Sequence, residues 1–495
     1  MSTVSATASG TNQDRARWIA LVVLCVGMLM IILDSTVVNV ALPAIQHDLS
    51  FSQPNLAWVI NAYLISFGGL LLLAGRLGDL VGRRRVFMIG LVLFTTASLL
   101  CGLAQSQALL IGARFLQGIG GALTSAVILG MVVTMFPEPA ERTKAIGVYS
   151  FVAAAGASLG LLLGGVVTQA INWHWIFFIN LPIGVITGLL ATRLVEPDGE
   201  VPGLHRGVDI AGAALVTAAL MLAVFTIVKA GGYGWASART LGSGAGVLAL
   251  LIAFVVREAT AKDPLVPLRI FRSRNVSGAN VVQLLMVASL FGMFFLGALF
   301  MQHVLGYSAI GTGFAFLPVS LGIGVFSLGL SARFINRFGA KATLLPGLAL
   351  LAGGLGLLAR APVGSSYALD LLPSMILLGA GAGLSFPSLM TLAMSGATPR
   401  DAGLASGLVN TTVQVGGALG LAVLATLSTT RTSHLLAAGA SQPAALTGGY
   451  HLAWVISGSV AAAALLIGAW ALRPAEIHDE EEELLANAPA YVEAA

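Results

Sequence analysis

Fourteen apolar runs, each about 18 to 29 residues long, succeed one another along this chain with short polar breaks between them. They fall near 17–39, 56–74, 86–104, 107–135, 146–170, 175–194, 209–229, 240–257, 276–304, 309–332, 342–360, 368–395, 404–428 and 449–472. A helix needs roughly 20 such residues to cross the hydrocarbon of a bilayer. Backbone polar groups meet no water there, so each span must satisfy them internally, and a helix does so. Pro318, Pro346 and Pro387 inside these runs are tolerated for the same reason. The pattern predicts an all-α integral membrane protein with 14 transmembrane helices. Composition agrees: 57% of the residues are hydrophobic and 9% charged, where a soluble chain carries about a quarter charged.

Charge tests the span count, because cytoplasmic loops collect Lys and Arg. With both termini inside, twenty of the 25 basic residues fall on the cytoplasmic side. Only Lys229, Arg239, Arg360 and Arg431 fall outside, and Arg114 is left within a span. One missed span would exchange the sides of every later loop and destroy this bias. The net charge of +4 therefore reports topology, and no nucleic-acid partner is expected. Cys25 and Cys101 both lie within spans, which implies neither a disulfide framework nor a metal cluster. The segment from Met1 to Gln13 has no basic region or cleavage site, so the first run reads as a retained span.

The two halves are related. Gly75-Arg76-Leu77-Gly78-Asp79-Leu80-Val81-Gly82-Arg83-Arg84-Arg85 follows span 2, and Ala332-Arg333-Phe334-Ile335-Asn336-Arg337-Phe338-Gly339-Ala340-Lys341 follows span 10. Aligning Gly82 with Gly339 puts Asn336 where Asp79 stands. Each loop then follows the second span of a six-span unit, if spans 7 and 8 are an insertion. The expected organisation is a cytoplasmic tail (1–16), a six-helix bundle (17–195), an inserted pair (196–257), a linker (258–275), a second six-helix bundle (276–473) and an acidic tail (474–495). Internal repeats of this kind mark secondary transporters that bind substrate between their halves. The inserted pair carries few polar residues and is expected at the periphery.

Two ionisable residues stand out at depth: Asp34, the one acid well inside a span, and Arg114, the one base. Charges in hydrocarbon are costly, tend to pair, and mark pathways. The competing readings are a hydrogen-bonded structural carboxylate and a structural ion pair. Gln117 lies one turn from Arg114, on the same helix face.

Four stretches resemble the major facilitator superfamily, and within it the fourteen-span drug:proton antiporters. The loop after span 2 fits the superfamily pattern G-x-L-x-D-x-x-G-R-R/K. Leu33-Asp34-Ser35-Thr36-Val37-Val38-Asn39-Val40-Ala41-Leu42-Pro43 is similar to the span 1 motif of that branch. Arg114-Phe115-Leu116-Gln117-Gly118-Ile119-Gly120-Gly121-Ala122 is similar to its span 4 motif. Trp173-His174-Trp175-Ile176-Phe177-Phe178-Ile179-Asn180-Leu181-Pro182-Ile183-Gly184 is similar to its span 6 motif. The span 5 antiporter pattern G-x-x-x-G-P-x-x-G-G retains Gly156, Gly160, Gly164 and Gly165, but Leu161 replaces the proline.

The resemblance implies a proton-coupled exporter of the plasma membrane, with both termini cytoplasmic, working by alternating access. Asp34 and Arg114 would couple to protons, and Asp34 would also attract a cationic substrate. Gly75, Asp79, Gly82 and Arg83 would form a cytoplasmic gate. Substrate contacts are expected from Asn39, Trp58, Asn61, Tyr63, Gln117, Gln283, Met286, Phe294, Phe295 and Gln414, with Phe291, Gln302, Phe386 and Asn410 as further candidates. Aromatics and Met suit lipophilic cations, although such residues also serve helix packing. The C-terminal spans carry no acid at depth, which favours monovalent or neutral substrates. No P-loop, zinc spacing or nucleophile elbow occurs, so no cofactor and no enzyme activity are expected and the proton gradient supplies the energy. The expected partners are small lipophilic substrates, protons and membrane lipids, around a monomer. A carrier of one metabolite and a non-transporting sensor or scaffold are the rival readings.

Overall fold

The computed structural model describes residues 4–136, 138–198, 209–395 and 402–474. Arg206, Arg400 and the acidic run Glu480–Glu483 lie outside the described residues, as does the side chain of Arg142. The described elements are helical throughout. The first half holds α1 (Val4–Asp48), α2 (Gln53–Val81), α3 (Arg83–Gly102), α4 (Gln107–Met135), α5 (Pro139–Ala170), α6 (Trp175–Phe178) and α7 (Asn180–Leu194). Next come α8 (Ile210–Tyr233) and α9 (Ala238–Thr260). The second half holds α10 (Arg274–His303), α11 (Ala309–Val325), α12 (Ser331–Phe338), α13 (Ala340–Leu358), α14 (Leu372–Ser395), α15 (Ala402–Ala437) and α16 (Gln442–Ala471).

Sixteen helices make fourteen spans because α6 and α7 form one, and a π turn at Phe326–Leu330 joins α11 to α12. Thirteen spans among the described residues are long and apolar enough to cross a membrane. The remaining one is α5, whose described apolar stretch is Leu159–Ala170. Local chemistry sets many of the helix starts. The side chains of Ser106, Ser308 and Asp209 accept hydrogen bonds from the backbone N–H three residues on, which satisfies otherwise orphaned donors.

Helix pairing repeats between the halves. In the first, α3 packs on α4, α2 on α4, α1 on α5 and α7, and α3 on α7. In the second, α13 packs on α14, α11 on α14, α10 on α15 and α16, and α13 on α16. The halves meet through α2 with α15 and through α5 with α11, and these two seams exchange under the same correspondence. Gly82 and Gly339 occupy equivalent corners before α3 and α13, with φ of 114° and 86°. Both values suit glycine and few other residues, so backbone geometry supports the alignment of the two loops.

The inserted pair departs in part from the expected periphery. The outer member, α9, packs on α8 and leaves Leu241, Leu248 and Ile252 exposed. The inner member, α8, packs against both α2 and α15. Thr217 sits against Gly69 of α2, and Gly231 against Thr426 of α15. Apolar composition alone did not distinguish a helix facing lipid from one facing two helices.

Candidate functional site

The first span continues as helix past the expected boundary at 39, so Asp34 lies well inside α1. Its carboxylate is fully buried and meets the equally buried guanidinium of Arg114, Nη1 to Oδ2, at 2.5 Å. The other carboxylate oxygen, Oδ1, accepts from Gln117 Nε2 at 2.7 Å and from Asn180 Nδ2 at 2.9 Å. Arg114 also donates through Nη1 to Gln117 Oε1 at 2.7 Å and through Nε to the Val59 carbonyl at 2.9 Å. A second layer fixes the two amides. Ser98 Oγ accepts from both Gln117 and Asn180 and donates to the Phe177 carbonyl. The Tyr63 ring covers the guanidinium, its centre 4.3 Å from Cζ.

Five spans contribute to this network, and sequence motifs set their approach. Gly118 lets α4 lie against the Tyr63 backbone of α2, and Gly120 lets it lie against Phe94 of α3. A Cβ at either position would collide with backbone, so the glycines bring Arg114 and Gln117 within reach of α1. The Trp-His-Trp stretch anchors the start of the sixth span. Trp173 Nε1 donates to Asp48 Oδ2 at 2.9 Å, and His174 Nδ1 is 2.9 Å from the Gly102 carbonyl. That anchor puts Asn180, the first residue of α7, beside Asp34.

Sequence reasoning paired Asp34, Arg114 and Gln117 but left Asn180 and Ser98 unassigned as functional residues. Asn180 lies in the span 6 motif, which offered a signal. Ser98 offered none, because serines are common in spans.

The glycines of the fifth span serve the same site. Gly156 packs on Leu29 and Ile32, Gly160 on Thr36 and the Leu33 carbonyl, and Gly164 on the Val37 backbone. Three glycines thus press α5 onto the stretch of α1 that bears Asp34. Gly165 instead faces the Ala309 carbonyl of α11, in the other half. Through the buried Leu161, α5 runs as unbroken helix.

At the expected gate, Arg83 Nη2 meets Asp79 Oδ1 at 3.0 Å, and Arg83 Nη1 donates to the Gly130 carbonyl of α4 at 2.9 Å. Gly82 precedes α3 and has no side chain to cap it. Asp198, beyond α7, takes that role: its Oδ1 accepts from the Arg84 N–H at 3.0 Å and its Oδ2 from the Arg85 N–H at 3.1 Å. A Cβ on Gly82 would strike this carboxylate. Asp198 was not recognised in the sequence because it stands in an ordinary polar loop. Gly75 faces open space, and no contact of the structure explains a glycine there.

The substrate candidates have varied local surroundings. Tyr63 belongs to the Arg114 site. Asn39 donates to carbonyls of its own helix, and Asn410, which is exposed, does the same. Gln302 Nε2 donates to the Val40 carbonyl across the seam between halves at 3.0 Å. Gln414 packs on Gly68, and Phe291 on Gly417 of α15. Phe294 stacks obliquely on Phe316. Met286 and Phe295 are wholly buried, and Trp58 and Phe386 are half-buried. Asn61 and Gln283 are buried with both polar atoms of each side chain unpaired. Asp34 and Gln117 are fully buried, with their polar atoms engaged by each other, Arg114, Asn180 and Ser98.

This architecture, two pseudo-symmetric six-helix bundles with charge buried inside the first, is that of a secondary transporter. The model of the Major Facilitator Superfamily matches residues 24–421, and the chain belongs to that family. It is a multi-pass membrane transporter and not an enzyme. The chain is 38% identical over 461 residues to the puromycin resistance protein pur8 of Streptomyces alboniger, covering 92% of this chain and 90% of that one. It is 39% identical over 424 residues to the cephamycin export protein CmcT of Amycolatopsis lactamdurans, covering 86% and 87%. Among solved structures it is similar to the peptide transporter POT, with a TM-score of 0.66 at 16% identity over 91% of this chain and 95% of that one. The nucleoside transporter NupG gives 0.65 at 12% over 91% and 98%. At those identities the likeness concerns the fold alone.

Proposed function

We propose that the chain is a proton-coupled antiporter that exports lipophilic, monocationic or neutral drugs across the plasma membrane, with both termini cytoplasmic. The observation that carries this reading is the sealed contact of Asp34 with Arg114. Every group on the Asp34 carboxylate is a donor: Arg114, Gln117 and Asn180. A protonated Asp34 would direct a hydrogen into a shell of donors and could not keep all of these bonds. Proton uptake and rearrangement of α1 against α4 and α7 would therefore occur together. The α5 glycines lie on the same stretch of α1, and Gly165 continues to α11, a mechanical route from the acid to the seam between the halves. Relatives named for antibiotic resistance and export support the outward direction.

A narrower reading is favoured by those same names, several of which specify a single antibiotic: puromycin, cephamycin, lincomycin. Under it, the chain exports one compound and not a range. Efflux assays with a drug panel in a susceptible host lacking its own pumps separate the two.

Antiport is tested in inside-out vesicles. Ethidium, or the substrate found in the panel, should collapse a preformed proton gradient. Asp34→Asn, checked for monodispersity after purification, should abolish that response. Full gradient-driven transport by this variant would overturn the coupling role, and substrate moving in the same direction as protons would make the chain a symporter.

A further inference from the structure

We propose that the groove between the start of α10 and the end of α16 is a binding site for an anionic phospholipid. The groove measures about 440 Å3 and is lined by Phe271, Arg272, Arg274, Val281, Ile467 and Trp470, among others. Its floor is apolar, and among the described residues no carboxylate lines it. Trp470 is 80% exposed, and Phe271 and Val281 are exposed too. Large apolar side chains left open at the end of a span meet lipid, and Trp in particular favours the headgroup level.

Among the described residues, no carboxylate compensates the charge on this groove. Arg274 has its Cζ 5.7 Å from the centre of the Trp470 ring, and its Nη2 makes a long 3.4 Å contact with the Trp470 carbonyl. Neither Arg272 nor Arg274 has a carboxylate partner among the described residues, unlike Arg83, Arg114 and Arg257. A general bias of arginine toward one face accounts for their number. It does not account for two guanidiniums on an apolar trough with no carboxylate partner among the described residues.

The trough is also firmly built. Lys341 Nζ donates to the carbonyls of Ala469 and Leu472 at 2.6 and 2.7 Å, and the Arg473 N–H donates to Asn275 Oδ1 at 2.9 Å. These bonds tie α13, α16 and α10 together around it. A phosphodiester matches the planar donor fork of arginine, and fatty chains match the floor. Basic pockets between spans recognise anionic headgroups by this combination.

The full-length transporter would be placed in phosphatidylcholine nanodiscs doped with phosphatidylglycerol, and the lipid retained on the protein counted by native mass spectrometry. One phosphatidylglycerol should be held in preference to phosphatidylcholine. Arg272→Gln with Arg274→Gln should weaken its retention about tenfold. Val281→Trp, which fills the floor without changing charge, should weaken it as well. Arg239→Gln with Arg431→Gln, an equal charge loss on the opposite face, should leave it intact. The proposal fails if the groove variants retain the lipid as the parent does or if phosphatidylcholine is held equally. It also fails if inorganic phosphate displaces the lipid, or if the species recorded is a dimer that excludes it.

Discussion

Gly160 of α5 lies so close to Thr36 of α1 that a Cβ at position 160 would overlap the Thr36 hydroxyl. The Leu33 carbonyl closes the same contact from the other side of Asp34 in sequence. Close packing of the fifth span is thus directed at the helix turns that carry the buried acid. Gly160→Val should separate α5 from α1 and destabilise the fold by roughly 1–3 kcal/mol, the usual cost of overpacking. A fall in the melting temperature of the purified protein would report it. Gly353→Val on α13, where a Cβ meets nothing, should leave the melting temperature nearly unchanged.

Arg114 and Asp34 are each other's counter-ion in a fully buried site. Arg114→Gln should cost about 3–5 kcal/mol, because it leaves the carboxylate buried without its charge partner. Adding Asp34→Asn should recover part of that loss. A double-mutant cycle on unfolding free energies measures the recovery, and strictly additive losses would show that the two groups do not act as a pair.

Asn180 contributes one hydrogen bond to the Asp34 carboxylate and one to Ser98. Bonds to charged groups are worth about 1.5–3 kcal/mol, so Asn180→Ala should lower stability by that order. It should also change the pH dependence of transport, whereas Asn410→Ala, on an exposed side chain, should change neither. Vesicle transport measured across a pH series separates the two variants.

Asp198 caps α3 from a distant part of the chain. Asp198→Ala should cost about 1–2 kcal/mol, as for loss of a helix cap. Gly82→Ala should cost at least as much, since φ at 82 is 114° and the new methyl group would strike the Asp198 carboxylate. In the background of Asp198→Ala the Gly82→Ala penalty should shrink, leaving only the backbone strain. Thermal denaturation of the four proteins checks this.

The sequence exposed those features that rest on scarcity or on length. Long apolar runs admit one kind of backbone in lipid, so the spans could be counted. Asp34 and Arg114 could be paired because the spans hold so few charges. Gly82 and Gly339 could be aligned because both loops turn the same corner, and their backbone angles agree. What stayed hidden was choice among common residues. Ser98 and Asn180 are neutral, and dozens of similar side chains back-bond to their own helices, as Thr95 and Ser388 do. Asp198 acts across more than a hundred residues of chain, a separation that no local pattern reports. The substrate candidates were chosen by residue type at mid-span. Residue type does not reveal which way a helix face is turned.

The position of α8 breaks the symmetry between the two seams of the fold. Two equal halves would present two interchangeable seams, α2 with α15 and α5 with α11. With α8 lodged against the first, that seam is backed by a helix from outside the two bundles, and neither α8 nor α9 packs comparably on the other. The inserted pair thus makes the two flanks unequal, one seam braced by a third helix and the other formed by the two bundles alone.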